Sequence, residues 1–245
     1  MGLSKEELLE KVNQHTWYHN IDLGNGIITP GRGWNRIWEP SAKFLERVEF
    51  SGKTVLEIGT WDGYFSFKAE ALGAGKVTAT DIKLWETFVL ARDILNSKVE
   101  FKAASIYSLD ESFPETLFDV IICYGIYYHL LFPNLAFTKM NRVLRPGGTL
   151  LLEGAYYPKY EGQSILYFSY GEDRLVSNDP TFCTCPTLKC LRNMLHASLF
   201  EVTEENPYLR EKNTGRVLIM ARKREKNEND LLYEHTYPNN LLRKY

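Results

Sequence analysis

Apolar residues along the chain alternate between short unbroken runs and longer stretches in which they recur every three or four positions. Unbroken runs occur at 53–58 (KTVLEI), 76–80 (KVTAT), 99–103 (VEFKA), 118–123 (FDVIIC) and 148–153 (GTLLLE). Such runs suit strands buried on both faces. Between them, 63–72, 86–96 and 133–144 read as helices. Parallel strands need a crossover, so strand, helix, strand at this spacing predicts an α/β fold with a doubly wound, mostly parallel sheet. A helix from Pro186-Thr187 to about 198 follows. Two last runs near 199–203 and 216–221 read as an antiparallel hairpin at the sheet edge, which brings the sheet to seven strands.

The flanks break this rhythm. Residues 4–15 read as a short amphipathic helix that Ser4 caps, with Glu7 three positions on. The following stretch to residue 40 holds four glycines, two prolines and three tryptophans. Flexible linkers are poor in Trp and Ile, so it reads as an ordered aromatic cap, with a helix over 41–50 entering the core. "RPGGTLLLE" at 145–153 packs a helix exit, a turn and a strand into nine residues. Residues 155–186 form a long irregular insertion after strand five, crowded with Tyr and Phe, and a connection of that length inside a domain is usually functional. The expected organisation is a helix and lid at 1–40, a core domain at 41–222 in which 155–186 covers the substrate, and a polar tail at 223–245 with an aromatic end.

Charge and cysteines narrow the classes. Against 31 acidic residues stand 29 basic ones, a net charge of -2, so bulk electrostatics do not favour nucleic acid. The four cysteines do not make a secreted disulfide framework, and no apolar run is long enough to span a bilayer, which makes a soluble, cytoplasmic protein the expectation. Cys183, Cys185 and Cys190 have His196 as the only nearby fourth ligand and lack paired zinc-knot spacing, so they read as incidental to a helix entry, and no metal is expected.

The candidate chemistry centres on "VLEIGTWDG" at 55–63 and the aspartate that closes the next run, Asp81. A strand, a glycine turn and an acid about 20 residues on describe a nucleotide site. A dinucleotide fold needs a bare backbone where the pyrophosphate approaches, and here Trp61 stands there, which argues against a pyrophosphate. S-adenosylmethionine has none. With "ATD" at 79–81, "FDVIICYGIYYHL" at 118–130 and "LRPGGTLLLE" at 144–153, the chain resembles the class I S-adenosylmethionine-dependent methyltransferases over residues 40–155. "WYHNIDLGNGIITPG" and "GIYYHL" are similar to the branch that includes the wobble-uridine tRNA methyltransferases.

The resemblance implies a Rossmann-like sheet and S-adenosyl-L-methionine as cofactor. It implies that Gly59 and Gly63 shape the turn under the cofactor tail, with Trp61 beside it and Glu57 beneath. Asp81 would accept hydrogen bonds from the ribose hydroxyls. Where the family commonly has an acidic and an apolar residue for the adenine, this chain has Ser105 and Ile106. Tyr124 and Gly125 would line the channel in which the methyl group is presented.

Methyl transfer needs alignment, exclusion of water and, where the acceptor carries a proton that must leave, a base. His129, just past Tyr128 and strand four, reads either as that base or as a histidine holding the channel. Glu153 either faces the same cavity or caps the next loop. In the lid, Tyr18 and His19 close over the cofactor or His19 is a surface histidine, and Arg32 is a weak candidate for the cation that carboxymethylating members of the branch require. Tyr156 opens the aromatic insertion. The leading expectation is methyl transfer to a small-molecule acceptor, such as a metabolite, sugar or natural-product intermediate, in a pocket roofed by the two aromatic segments. The alternatives are a tRNA wobble-uridine methyltransferase or carboxymethyltransferase, and a noncatalytic nucleotide-binding protein of the same fold.

Overall fold

The computed structural model describes residues 4–169, 175–176 and 179–226. The chain divides into two compact units, residues 1–105 with 118–124, and residues 106–117 with 125–245. The first unit contains α1 (Lys5–Asn13), α2 (Asn35–Leu45), β1 (Thr54–Ile58), α3 (Tyr64–Ala71), β2 (Lys76–Asp81), α4 (Glu86–Leu95), β3 (Glu100–Ala103) and β4 (Phe118–Tyr124). The second contains α5 (Leu109–Ser112), α6 (Pro133–Val143), β5 (Leu144–Tyr156), β6 (Leu166–Phe168), β7 (Thr184–Pro186), α7 (Leu188–Ala197), β8 (Phe200–Arg210) and β9 (Gly215–Lys223). Seven strands follow the order β3-β2-β1-β4-β5-β9-β8, the α/β architecture that the alternation of runs predicts.

Within the first unit β1 pairs in parallel with β2, from Thr54↔Lys76 to Ile58↔Thr80, and with β4, from Val55↔Val120 to Glu57↔Ile122. Val55, Leu56, Ile121 and Ile122 are fully buried, as strands covered on both faces require. In the second unit β5, β9 and β8 are antiparallel, with register shifts at Val202/Glu204 and Pro207/Leu209. Pro207 has no N–H to give the ladder, and a bulge is where a strand tolerates that.

Three expectations move. The helix expected over 41–50 is α2, which starts six residues earlier, inside the aromatic cap, and runs through Pro40. One apolar face, Ile37, Trp38, Ala42, Phe44 and Leu45, is buried on both sides of the proline, and tertiary burial of that stripe outweighs the lost backbone bond. The insertion is not wholly irregular: β5 extends to Tyr156, and β6 and β7 pair from Leu166↔Pro186 to Phe168↔Thr184. The last two strands are longer than their apolar runs, because the β5–β9 and β8–β9 ladders carry pairing past the buried positions. The Ser4 capping box forms as expected, Ser4 Oγ accepting from the Glu7 N–H at 3.2 Å and Glu7 Oε2 from the Ser4 N–H at 2.7 Å. Most of the tail expected at 223–245 lies outside the described residues, as does Tyr170. Among the described residues no helix is long and apolar enough to cross a membrane.

Candidate active site

In the first unit the turn after β1 is stitched to β2 by the Gly59 and Thr60 N–H groups, which donate to the Thr80 carbonyl at 2.8 and 3.0 Å. Gly63 has φ = 89°, and a β-carbon there would overlap the Phe67 ring, so only glycine serves as the cap of α3. Asp81 ends β2 with its carboxylate already aimed: Oδ2 accepts from the Trp61 N–H at 3.0 Å and Oδ1 from the Ile82 N–H at 2.7 Å. A carboxylate has two lone pairs on each oxygen, so both oxygens keep acceptor capacity for a diol. Trp85 Nε1, four residues further on, is a buried donor with no acceptor among the described residues. These groups fit a nucleoside.

Trp61 has φ = 49°, a left-handed conformation unusual for a bulky residue. Its indole does not stand loose over the turn. It is stacked against Trp85 at 4.6 Å and 4° and against Tyr18 at 4.9 Å and 25°. Such pairs contribute about 1 kcal/mol each beyond burial, comparable with the roughly 1–2 kcal/mol that the backbone conformation costs.

Glu57 is buried, and its Oε2 accepts from Thr60 Oγ at 2.7 Å and from Ser66 Oγ. It therefore joins the turn to α3 from below. Burial pushes its carboxyl up to about 7, against the lowering effect of the two hydroxyls. The folded state then holds a proton that the unfolded chain gives up near 4.5, so Glu57 erodes stability as pH rises from about 4.5 to about 7. Glu57→Gln is expected to flatten that part of the stability profile by up to about 3 kcal/mol in denaturant titrations of the ligand-free protein. An unchanged slope would remove Glu57 as its source.

The residue that sequence reasoning missed is Asp62. It is fully buried and accepts from the Tyr18 N–H at 2.9 Å, the His19 N–H at 2.8 Å and His19 Nδ1 at 2.5 Å. Its place inside the G-T-W-D-G turn was the available signal. His19 is accordingly not a surface histidine: it is 5% exposed, stacked on Tyr64 at 4.9 Å and 10°, with its Nδ1 committed to Asp62. The aromatic cap is thus pinned to the glycine turn. Arg32 stays exposed, its guanidinium 5.7 Å from the Tyr18 ring and 5.6 Å from that of Trp61. Ser105 is exposed just past β3, and Tyr124 is buried at the end of β4 with Phe65 edge-on at 4.9 Å.

In the second unit, Ile106 is buried at the start of a 3-10 turn, and Gly125, at φ = 75°, donates its N–H to the Glu153 carbonyl at 3.0 Å. Tyr127 is buried and donates its hydroxyl to the Ala155 carbonyl at 2.6 Å. Glu153 neither faces a cavity alone nor caps a loop. It is 1% exposed and takes Arg216 Nε at 2.8 Å, Arg216 Nη2 at 2.6 Å and the Tyr208 hydroxyl at 2.7 Å. The antiparallel register sets Arg216 opposite Ala155, two residues along from Glu153 on the same face. The guanidinium also lies 4.8 Å from the Tyr128 ring centre. Burial opposes its charge, yet Glu153, Tyr128 and Tyr208 hold its pKa well above the ordinary value. Burial likewise raises the Tyr128 and Tyr208 hydroxyls.

His129 ends the 3-10 turn 127–129, with Nδ1 at 2.9 Å from Thr181 Oγ and 3.1 Å from the Thr181 carbonyl oxygen. Burial lowers its pKa below 6.5 despite the Thr181 bond and Asp179. The insertion is tied to the same turn, since the Cys183 N–H donates to the Tyr128 carbonyl at 2.8 Å and Phe182 packs 5.1 Å from the Tyr128 ring. Tyr156 is buried, with its ring against Gly215 on the paired strand. Cys185 and Cys190 are buried in β7 and α7.

The family described as a methyltransferase domain matches residues 35–205. The chain therefore belongs to that family, in its class I, S-adenosylmethionine-dependent group. A tRNA U34 carboxymethyltransferase of Campylobacter concisus is 25% identical over 169 residues, covering 67% of this chain and 56% of the relative. The chain thus spans little more than half the length of such relatives. In fold it is similar to the Burkholderia thailandensis 1,6-didemethyltoxoflavin-N1-methyltransferase with bound 1,6-didemethyltoxoflavin and S-adenosylhomocysteine (TM-score 0.59, 20% identity, 76% of this chain and 77% of the other). It is also similar to the N-terminal domain of EvdMO1 in the presence of SAH and D-fucose (TM-score 0.67, 16% identity, 91% and 98%).

Proposed function

We propose that the chain is an S-adenosylmethionine-dependent methyltransferase whose acceptor is a small molecule, such as a metabolite, sugar or natural-product intermediate. The observation that carries the cofactor half is Asp81, held by two main-chain N–H groups at the end of β2 with acceptor capacity left over. When bound, S-adenosylmethionine supplies a methyl group activated on a sulfonium. The chain's own residues would grip its ribose at Asp81 and seat its tail on the Gly59–Gly63 turn. The small-molecule half is supported by the insertion, which sets Phe182 against Tyr128 and Tyr167 against Tyr157, aromatic walls of the kind that suit a compact acceptor. The toxoflavin-type ligand and D-fucose named for the two fold neighbours favour the same size class.

A second reading, carboxymethyl transfer to tRNA, has one observation in its favour. Arg216 is a mostly covered cation beside Tyr128, its side chain 13% exposed, and a better candidate than exposed Arg32 for a carboxylated cofactor. Against it, both oxygens of Glu153 already engage Arg216, and the net charge of -2 offers no general attraction for RNA. Incubation with S-adenosylmethionine and an acceptor panel, read by mass spectrometry, is expected to show a small molecule gaining one methyl group. Product on tRNA alone, or a carboxymethyl gain, would replace this reading with the second; cofactor binding without product on any acceptor would favour a noncatalytic protein.

A further inference from the structure

His129 was open between base and scaffold, and its hydrogen bonds decide which nitrogen can work. Nδ1 lies 3.1 Å from the Thr181 carbonyl oxygen, which can only accept, so Nδ1 carries a proton. Thr181 Oγ, 2.9 Å from the same nitrogen, gives its own proton to Asp179 Oδ1 at 2.6 Å and so turns its lone pairs toward Nδ1. Asp179 Oδ1 also accepts from the Thr181 N–H at 2.9 Å, which fixes the pair as a unit. In a neutral imidazole a proton on Nδ1 leaves the lone pair on Nε2.

We propose that Thr181, backed by Asp179, is the positioning residue that holds His129 as a base at Nε2. A base there has a role only where the acceptor loses a proton on methylation, as an alcohol, a phenol or a heteroaromatic N–H does, and the proposal extends to that class. The inference rests on the methyltransferase reading above and extends it to the acceptor's chemistry. In the step, the acceptor's O–H or N–H bond breaks, the proton goes to Nε2, and the acceptor's electron pair forms the bond to the methyl carbon. Bound S-adenosylmethionine would supply that methyl group and keep the sulfonium–carbon electron pair as its thioether. The imidazolium keeps its Nδ1–H on Thr181. Asp179 favours that charge, whereas the Arg216 guanidinium opposes it, and Tyr128 packs 4.2 Å from the ring. Half of this apparatus lies in the insertion, 52 residues from the histidine.

The tautomer is read without an acceptor, by long-range nitrogen–proton correlation spectra of the labelled full chain. The expected result is a protonated Nδ1 and a pyridine-like Nε2 at His129 in the native protein and in Thr181→Ser. A protonated Nε2 in the native protein overturns the proposal while leaving the methyltransferase reading intact. With the acceptor in hand, Thr181→Val is expected to lower kcat about 10- to 100-fold, the usual range when an orienting partner is lost, with KM for the cofactor unchanged and with Thr181→Ser restoring most of the rate. The acid limb of kcat/KM should lie below pH 6.5, where burial places His129, and should vanish in His129→Ala. Full kcat in Thr181→Val, or an acid limb that survives His129→Ala, would sink the assignment.

Discussion

Asp81→Ala is expected to weaken S-adenosylmethionine binding at least about a hundredfold, because under the proposed function it would delete two charge-assisted hydrogen bonds to the ribose, each worth about 1.5–3 kcal/mol. The loss has a second source. Asp81 also accepts the Trp61 N–H, and Trp61 sits in a left-handed conformation that its neighbours must hold. Without the carboxylate, the turn loses one of the constraints that keep it shaped before the ligand arrives. Asp81→Asn separates the two effects, since the amide oxygen can still accept from one main-chain N–H while the charge is gone. Isothermal calorimetry on the two variants should therefore rank native, Asn and Ala in that order. Equal affinity in native protein and Asp81→Ala would mean that the nucleoside lies elsewhere.

Glu153→Ala is expected to lower Tm by about 10 °C. Removing one member of a buried ion pair leaves the other charged and uncompensated, which costs about 3–5 kcal/mol, and a domain of this size moves by about 2–4 °C per kcal/mol. The Arg216 side chain is only 13% exposed, lies beside the Tyr128 ring and gives two of its donors to Glu153, so it has little access to water. The double variant Glu153→Leu with Arg216→Met is expected to recover much of the lost stability, because no charge then remains to be desolvated. Thermal scans that put Glu153→Ala within a degree or two of native would show that the pair is solvated in solution. A double variant no more stable than the single one would point to a packing role for the arginine stem instead.

The two experiments probe different kinds of residue, and they differed in how readable they were. The place of Asp81 was legible because a glycine turn followed by an acid at the end of the next strand is a local pattern, set by backbone geometry within one strand–turn–strand unit. Glu153 was legible only as an acidic residue ending an apolar run. What it does depends on a register: β5 and β9 pair so that Ala155 faces Arg216. Nothing in the composition of either strand announces that pairing. Asp62 was missed for a related reason. Inside a glycine turn an aspartate draws attention as a candidate ligand contact, yet its acceptor capacity goes to the backbone and ring of the N-terminal cap. Arg32 suffered the opposite error, since a glycine-rich context suggested a clamp and the folded cap leaves it exposed over aromatic rings.

The sequence by itself determined the chain order of the seven strands of the main sheet, though not the β6–β7 pair, together with the glycine turn, its aspartate and the family. Each of these depends on near neighbours: the period of apolar residues chooses strand or helix, and a positive φ at a crowded site demands glycine. Tertiary structure alone decided the partnerships. His19 meets Asp62 across 43 residues, His129 meets Thr181 across 52, and Arg216 meets Glu153 across 63. A buried polar group must find a partner somewhere, but which one is settled only when the layers pack and each hydrogen-bonding atom is either satisfied or stranded.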